Sequence, residues 1–564
     1  MNPLNLPKLC GGDIELGNFL TGVHGPDGTG HRAALALLKK IKGVEGGTRP
    51  VAAGASTGGF ATAGRYPGSS GYSAYSSTYD SGAAAFDPQD WMRTYLPANG
   101  GCAYIDLDHL EICLPEVLSA RDHVAAWYAM LRIAAQAQQA VNADLPPGQK
   151  LHLLANNTDG HGNSYGSHLD FLITRRAWDN IFNRRLQYLL FLAAYQASSI
   201  VFAGQGKVGT DGGFAGDPAC AYQLSQRADF IEVLMGIQTT YHRPIVNSRD
   251  EPLCGSWRSD PSSPAQAMAR LHVIFYDSTL CHVGSFLKVG VMQIILAMIE
   301  AEKVNPQLIL EDPVTAVGAW SCDPSLTART ELVSGEKLTA VEVQLRFHEE
   351  ASAFIEAGGC EGIVPEAGVI LDLWGDTLRK LQTRDLSSLA PRLDWVLKLS
   401  LLERAMKQRP GLTWESPELK HLDHLYSSLD GGLYLACERQ GAVERMVSEE
   451  QILRFMHEPP EDTRAYTRSR LLRLAEPSQI AHVDWDEITF KLGSGWPSRR
   501  TVSLANPLGF TKAKTRFLET ATLDDALDIL GAEPRPVPTA AVIAPPPRYP
   551  RFSTHPPKPS ASHE

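Results

Sequence analysis

The sequence predicts an α+β fold, because helical and strand-like segments alternate without the regular period of a doubly wound sheet. At 564 residues the chain is also too long for one average core, which favours two or three domains. Short apolar or alternating runs predict strands at 102–108, 151–155, 170–174, 243–248 and 271–276. Apolar residues at helical spacing predict helices over about 115–141, 178–198, 285–303, 340–357 and 392–408.

Composition and charge exclude some classes of function. Hydrophobic residues make up 43% of the chain and charged residues 20%, which are ordinary values for a soluble globular protein. The net charge of −11 argues against a broad nucleic-acid-binding face and provides no attraction to a membrane. The longest apolar stretch, 286–299, contains Lys288 and Gln293 and is too short to cross a bilayer, so it predicts a buried helix.

The cysteines and the N-terminus indicate a cellular compartment. Nine cysteines are scattered without a CxxC pair, which predicts reduced thiols in a cytoplasmic protein. The first residues, MNPLNLPKLCGGDIELG, lack the charged leader and apolar core of a signal peptide.

Two segments have compositions that cannot bury a core. Residues 54–88 are rich in Gly, Ser, Ala and Tyr, which predicts a long flexible loop of the kind that often forms a lid. From Pro534 to Glu564 proline is abundant and large apolar side chains are few, which predicts a disordered tail able to recruit a partner.

Acidic residues concentrate in two strand-like segments. Asp13 and Glu15 are two residues apart, so their carboxylates share one face of a strand and would repel without a cation such as magnesium between them. Tyr104, Asp106 and Asp108 share a strand face by the same parity. Glu111 and Glu116 follow, where a helix that starts at Pro115 is predicted. The alternatives are a solvated strand face for the first pair and an acidic turn for the second group.

A polar loop and two arginine-containing segments follow. The loop NNTDGHGNSYGSH at 156–168 offers neutral donors and close backbone approach to a ligand, and its His168 is either a metal ligand or structural. Arg227 and Arg249 lie near strand ends, where they fit either bidentate binding of phosphate or an ion pair with Asp250 or Glu251. The GQGKVG run at 204–209 lacks the full phosphate-loop spacing and is a weak signal.

Several longer motifs in the same chain resemble the depupylase and Pup-ligase family, relatives of glutamine synthetase. They are NNTDGHGNSYGSH, YQLSQRADFIE, PIVNSRDEP, RLHVI, FLKVG, PPEDTRAYTR and VDW. The resemblance implies a glutamine-synthetase-like catalytic domain over 1–438, with a curved antiparallel sheet, helices and the flexible loop 54–88. It also implies a small C-terminal domain over 439–531 that contributes to the nucleotide site, before a disordered Pro-rich tail over 532–564.

The two branches of this family do opposite chemistry. Ligases use ATP to join the C-terminal glutamate of the small disordered protein Pup to a lysine, whereas depupylases hydrolyse that isopeptide bond or the amide of a C-terminal glutamine. The D-x-x-H-x-E spacing from Asp106 to Glu111 and the insertion at 54–88 resemble the depupylase branch. The expected function is therefore nucleotide-dependent hydrolysis, with Pup or a Pup-like protein as partner. The alternatives are a Pup-type ligase and a nucleotide-binding pseudoenzyme.

The resemblance also implies roles for individual residues. Asp106 matches the catalytic aspartate, which acts on the amide carbonyl or activates water. Magnesium-facing positions match Asp13, Glu15, Tyr104, Glu111, His168 and His272. Positions near the phosphate or the substrate glutamate match Arg227 and Arg249, and positions near ATP or ADP match Arg464, Arg468 and Trp485. The substrate loop contributes Asn156, Asn157, Asp159, Ser164 and Tyr165.

The chain departs from the family pattern at several places. Asp13 stands where glutamate is usual, and His109-Leu110-Glu111-Ile112 replaces HPEY. Leu169-Asp170-Phe171 replaces Glu-Asn-Tyr, which predicts the loss of a carboxylate beside the site. Leu253-Cys254-Gly255 replaces His-Ala-Asp. These changes alter the surroundings of the site, so they predict either a substrate other than ordinary Pup or weakened catalysis.

Overall fold

The computed structural model describes residues 6–534 apart from 24–28, 47–90, 212–219, 252, 254–267 and 495–497. The predicted lid at 54–88 and the tail beyond residue 534 lie outside the described residues. Cys10, Cys113, Cys281 and Cys360 are buried thiols in the described part, and the prediction of reduced cysteines stays a prediction.

The strands of the described residues form one large sheet and several small ones. They are β1 (Cys10–Thr21), β2 (Val44–Glu45), β3 (Trp91–Tyr95), β4 (Cys102–Asp106), β5 (His109–Cys113), β6 (Lys150–Leu154), β7 (Ser167–Thr174), β8 (Lys207–Val208), β9 (Tyr222–Gln223), β10 (Ile231–Gly236), β11 (Arg243–Asn247), β12 (Met268–Val273), β13 (Thr330–Glu331), β14 (Lys337–Leu338), β15 (Ile480–Val483), β16 (Glu487–Lys491), β17 (Arg499–Ser503) and β18 (Glu533–Pro534).

Helices cover one face of the large sheet and form most of the second half of the chain. They are α1 (Thr29–Leu38), α2 (Ala120–Asp144), α3 (Arg175–Asp179), α4 (Leu186–Ala203), α5 (His282–Glu300), α6 (Pro313–Ser321), α7 (Ala340–Glu356), α8 (Ala367–Gln382), α9 (Leu386–Leu389), α10 (Asp394–Gln408), α11 (Pro417–Tyr426), α12 (Leu433–Arg439), α13 (Glu449–His457), α14 (Arg464–Leu474), α15 (Lys512–Thr515) and α16 (Leu523–Ile529).

The large sheet has the strand order β12-β7-β1-β5-β4-β3-β2, with β6 paired to the far end of β1. All of its strand pairs are antiparallel. This architecture confirms the predicted α+β class. The long strand β1 lies at the centre, because its first half pairs with β5 and β7 and its second half pairs with β6.

Alternation along β1 separates the core from the opposite face. Ile14 and Leu16 are fully buried in the main hydrophobic core together with residues of α1 and α2. Asp13 and Glu15 alternate with them and therefore face the other side of the sheet. The carboxylates predicted to share a face do share it.

Three predicted elements differ from those in the structure. The helix predicted from residue 115 begins at Ala120, because Val117 is still bridged to Cys10 of β1 and Ser119 caps the helix by accepting from the Asp122 N–H. The helix predicted over 178–198 is divided into α3, a π-helical turn and α4, with extended backbone at Arg185. A two-residue turn also separates Asp106 from His109, so Asp108 does not continue the strand face of Tyr104 as predicted.

Helices α4 and α5 are long and apolar enough to cross a membrane by length and composition. The apolar stretch 286–299 lies within α5, which extends beyond it at both ends and has 19 residues. The apolar windows of α4 and α5 are 83% and 100% buried inside the protein, as in core helices of globular proteins. The prediction of a buried helix is therefore confirmed.

Residues after 470 form a second hydrophobic cluster with the end of the large sheet. Phe490, Val502 and Leu527 pack in one cluster with Tyr104 and Cys113. Strand β18 pairs with β17, so the first residues of the tail predicted to be disordered from 532 are ordered. The predicted domain limits at 438 and 531 otherwise stay predictions.

A buried ion cluster joins the C-terminal helix α14 to the large sheet. Glu116, which follows β5, accepts hydrogen bonds from Arg464 at 2.7 Å and from Arg468 at 2.5 Å. Burial would raise the pKa of Glu116, but Arg468 and Arg464 outweigh it and lower that pKa to about 2. The carboxylate is therefore charged and paired at neutral pH.

We predict that Glu116→Gln lowers the free energy of unfolding by about 3–5 kcal/mol, because it leaves two buried guanidinium groups without a counter-charge. The pKa of Glu116 is depressed from 4.5 in the unfolded chain, so its stabilisation is present above about pH 4.5 and is lost as the pH falls toward 2. Chemical denaturation between pH 3 and pH 7 would measure the effect, with the difference between the two proteins shrinking at the acidic end. The matched control is Glu458→Gln, whose carboxylate is 47% exposed beside Arg470. The control should change stability by about 0.5 kcal/mol or less.

Candidate functional site

A cavity of about 750 Å³ lies on the face of the large sheet opposite the core helices. Strands β1, β4, β5, β7 and β12 supply its floor, and residues of the polar loop and of the C-terminal part supply its walls. The cavity therefore collects side chains that are far apart in the sequence. Its lining includes Asp13, Glu15, Tyr104, Asp106, Glu111, Ser164, Tyr165, His168, Arg249, His272, Arg464 and Trp485 from the predicted set.

Three carboxylates meet at the centre of this floor. Glu15, Asp106 and Glu111 each place a carboxylate oxygen within 4.8 Å of the other two. Strand register produces the meeting, because Glu15 is directly opposite Glu111 and Glu111 is directly opposite Tyr104. Like charges that face each other across a strand pair are destabilising. These three oxygens form a set that a hard cation would bind.

The electrostatics of Glu111 reflect this crowding. Burial raises the pKa of Glu111 well above its usual value, and Asp13, Glu15 and Asp106 raise it further. The Tyr104 hydroxyl donates a hydrogen bond to Glu111. Burial also raises the pKa of Tyr104, which keeps this hydroxyl protonated as a donor.

His168 lies beside the carboxylates without joining their three-residue set. Its Nδ1 is 3.0 Å from Asp13, its partner in strand register. Burial would lower the pKa of His168, but Asp13 outweighs that effect and raises it. Gly166 is required here, because a Cβ atom at that position would lie 2.6 Å from both Glu15 and His168.

A second group of charges forms the β7–β12 wall. Asp170 accepts from His272 at 2.9 Å and from Arg270 at 2.8 Å, and Arg270 also donates to Glu251. Burial would raise the pKa of Asp170, but Arg270 and His272 outweigh burial and lower it. Asp170 lines this wall and supplies a carboxylate there, and the loss of the family's glutamate at the Leu169 position stays a prediction.

The polar loop contributes fewer ligand-facing residues than predicted. Asn156 and Asn157 are buried and hold the loop itself, through Tyr165 in both cases. Asp159 accepts from the backbone of His161 and Asn163 within the same turn. Among the described residues, Ser164 and Tyr165 are the members of the predicted substrate-loop set that line the cavity.

Two arginines hold the carbonyl groups of that loop. Arg227 donates to the Tyr165 carbonyl, and Arg243 donates to the Ser164 carbonyl, each at 2.5 Å. Arg227 is 1% exposed and does not line the cavity, whereas Arg243 does. Burial lowers the pKa of Arg243 to about 10, and the neighbouring Arg227 adds to this effect. Both groups remain positively charged at neutral pH.

The residues predicted near the nucleotide separate into two groups. Arg249 and Trp485 line the cavity, with Arg249 at 3.5 Å from Glu251. Arg464 also lines the cavity, but together with the fully buried Arg468 it holds Glu116. The guanidinium of Arg468 also stacks 4.6 Å from the Trp485 ring centre, which orients the indole.

Several residues line the cavity without having been predicted. They are Arg93, Asp170, Arg243, Glu251, Arg270 and Asp484. Parity along β7 places Asp170 on the face of His168, and adjacency to Trp485 would have suggested Asp484. No local sequence signal identifies Arg93. The weak phosphate signal at 204–209 is contradicted, because Lys207 is buried in ion pairs with Asp211 and Asp229.

Comparison with known proteins identifies the family. The family model for the Pup-ligase protein matches residues 65–489. The depupylase of Acidothermus cellulolyticus is 38% identical over 425 residues, which cover 75% of this chain and 80% of the relative. The Pup–protein ligase of Acidimicrobium ferrooxidans is 34% identical over 417 residues, which cover 72% of this chain and 85% of the relative.

Solved structures share the fold. The complex between the prokaryotic ubiquitin-like protein Pup and its ligase PafA superposes with a TM-score of 0.70 at 23% identity, covering 93% of this chain and 92% of that one. The ligase PafA in complex with ADP gives a TM-score of 0.62 at 24% identity, covering 79% and 91%. The chain therefore belongs to the Pup-ligase protein family, which includes depupylases and Pup ligases.

Proposed function

We propose that this chain is a hydrolase of the depupylase type, dependent on a nucleotide and magnesium. Its substrate would be the side-chain amide or isopeptide bond at the C-terminal Gln or Glu of Pup or a Pup-like protein. The observation that carries the proposal is the meeting of Glu15, Asp106 and Glu111 at the centre of one cavity. The depupylase relative at 38% identity supports this branch over the ligase relative at 34%.

The carboxylate set fits a magnesium ion. Glu15 and Glu111 stand directly opposite each other and are both almost fully buried, so a divalent cation would remove a repulsion that neither side chain can relieve in water. Asp13 and His168 would support this set from the neighbouring register position. Bound magnesium would neutralise phosphate charge and orient the nucleotide.

The nucleotide would occupy the end of the cavity near the C-terminal residues. Trp485 is partly exposed, packs edge-on against Tyr95 with ring centres 5.6 Å apart, and offers a surface for an adenine ring. Arg249 also lines the cavity, where its guanidinium would bind an anionic group. The family fold is known with ADP in the ligase PafA, which supports a nucleotide in this cavity.

The glutamyl substrate would enter beside the polar loop. Arg243 and the buried Arg227 place two guanidinium groups behind Ser164 and Tyr165, and the structure gives neither of them a carboxylate within ion-pair distance in the described residues. This positive region favours the carboxylate of a terminal residue, because the centre of the cavity is strongly acidic. The amide to be cleaved would then lie over Asp106.

Asp106 would carry the chemistry. Its carboxylate either attacks the carbonyl carbon, which releases the amine or ammonia and leaves an anhydride for water to cleave, or accepts a proton from the attacking water. Both routes require an ionised carboxylate close to the substrate carbonyl. The short turn between β4 and β5 holds Asp106 next to Glu111, so its position is determined by backbone pairing.

A Pup-type ligase is the second candidate, because the relatives at 34% identity include a Pup–protein ligase and the fold is shared with PafA. The two reactions differ in nucleotide use. A ligase would release one ADP for each bond formed when a glutamate-ending Pup and a lysine are supplied. The proposed hydrolase would cleave a lysine-linked Pup without this stoichiometric ADP release.

We expect Asp106→Asn to reduce turnover of a glutamine-ending Pup by roughly 10²–10⁴-fold, because the amide keeps the shape but loses the charge. Ammonia release measures turnover, and ADP binding should be nearly unchanged. Asp528→Asn is the matched control, since its carboxylate is 73% exposed and paired only with Arg500 among described residues. An Asp106→Asn variant that retains more than about a tenth of the rate would refute the assignment.

Removal of divalent cations with a chelator should stop turnover, and added magnesium should restore it. Glu111→Gln should raise the magnesium concentration needed for half-maximal rate, because it removes one of the three clustered oxygens. A titration of rate against magnesium concentration measures this shift. Full activity in excess chelator would contradict the magnesium site.

A further inference from the structure

We propose that Arg93 binds the phosphate groups of the nucleotide, and that a β-bulge turns its side chain into the cavity for this purpose. The inference rests on the nucleotide site proposed above and identifies a residue that no sequence motif indicates. It follows from the register of β3, from the contacts of the Arg93 guanidinium group and from the ion pairs that neighbouring arginines form with Glu116.

The bulge lies between β3 and β4. Trp91 pairs with Ile105 and Thr94 pairs with Ala103, so both Met92 and Arg93 stand opposite the single residue Tyr104. Met92 has φ of +58°, a left-handed conformation that glycine usually occupies at the first position of such a bulge. A non-glycine residue in this region is strained, and such strain is concentrated at functional sites.

One consequence of the bulge is that Arg93 shares the cavity face with Tyr104. The guanidinium carbon lies 4.8 Å from the centre of the Tyr104 ring. The Tyr104 hydroxyl in turn donates to Glu111, a member of the clustered carboxylates. Tyr104 therefore contacts both the Arg93 guanidinium, over its ring, and one carboxylate of the proposed magnesium site, through its hydroxyl.

On its other side Arg93 approaches the proposed adenine surface. Its NH1 is 3.7 Å from Asp484, and Asp484 is followed directly by Trp485. The Arg93 and Asp484 side chains are 21% and 10% exposed, so a ligand in the cavity can reach the guanidinium. A nucleotide with its base on Trp485 and its phosphates toward Glu111 would pass Arg93. A guanidinium has five donors, so it can keep this ion pair and still donate to phosphate.

Two neighbouring arginines at this end form ion pairs with Glu116. Arg464 and Arg468 direct their guanidinium groups at Glu116, and Arg468 is completely buried. Of these three arginines, Arg93 is the one that lies between Trp485 and the carboxylates. The resemblance placed Arg464 and Arg468 near the nucleotide, and we assign the contact with its phosphate groups to Arg93.

Calorimetric titration of the full-length protein with ADP, adenosine and inorganic phosphate, each in the presence of magnesium, tests the proposal. Arg93→Ala should weaken ADP binding by roughly 10- to 100-fold, the usual worth of charged hydrogen bonds. Adenosine binding should change by less than about threefold, because adenosine has no phosphate. Arg93→Lys should give an intermediate loss for ADP, because an ammonium keeps the charge without the planar fork.

Arg184→Ala is the matched control for loss of one positive charge. Its side chain is 68% exposed and lies 3.8 Å from Asp179, outside the cavity lining. ADP binding by this variant should equal that of the unmodified chain. Melting temperatures of all variants establish folding, and Arg93→Lys carries the test if Arg93→Ala does not fold.

Three outcomes would overturn the assignment of Arg93. An equal loss for ADP and adenosine would show a structural role, and unchanged ADP binding would show no role. A loss confined to inorganic phosphate would assign Arg93 to a free anion. In all three cases the unmodified chain still binds ADP, so the proposed function stands. Failure of the unmodified chain to bind ADP would overturn the nucleotide site and the Arg93 assignment together.

Discussion

The site depends on one unfavourable interaction, the direct opposition of Glu15 and Glu111 on paired antiparallel strands. Two buried carboxylates at this distance, with Asp106 beside them, cannot all be ionised comfortably without a counter-charge. Within the described residues, Glu111 accepts hydrogen bonds from the Tyr104 hydroxyl and from the Cys113 thiol, and neither donor carries a positive charge. The negative charge of the three carboxylates must therefore be compensated by a proton or a cation. The raised pKa of Glu111 shows that a proton is held there more strongly than usual.

Positive charge in the protein is kept at the edges of this acidic centre. Arg227 and Arg243 lie behind the polar loop, and Arg270 lies in the β7–β12 wall with Asp170 and Glu251. None of the three forms an ion pair with Glu15 or Glu111 within the described residues. A cation at the centre would therefore not be displaced by a protein side chain. The arrangement separates a metal region from regions that suit anionic parts of ligands.

The C-terminal part completes the cavity because a buried ion cluster joins it to the large sheet. Glu116 follows directly on β5, and its ion pairs with Arg464 and Arg468 join α14 to the sheet. Arg468 then stacks on Trp485 and orients that ring toward the cavity. The family resemblance assigned Arg468 to the nucleotide site, and its contact in the structure is with Trp485, which it helps to orient.

The sequence alone determined the α+β class, the positions of the main strands and the family, because periodicity and long motifs are local properties of the chain. It also placed Asp13 and Glu15 on one face, since strand parity requires no tertiary information. Only the tertiary structure shows that Arg464 and Arg468 form ion pairs with Glu116. It also shows that Asn156 and Asn157 hold their own loop and that Arg93 lines the cavity. These outcomes depend on long-range partners and on a one-residue change of register between β3 and β4, which no local pattern encodes.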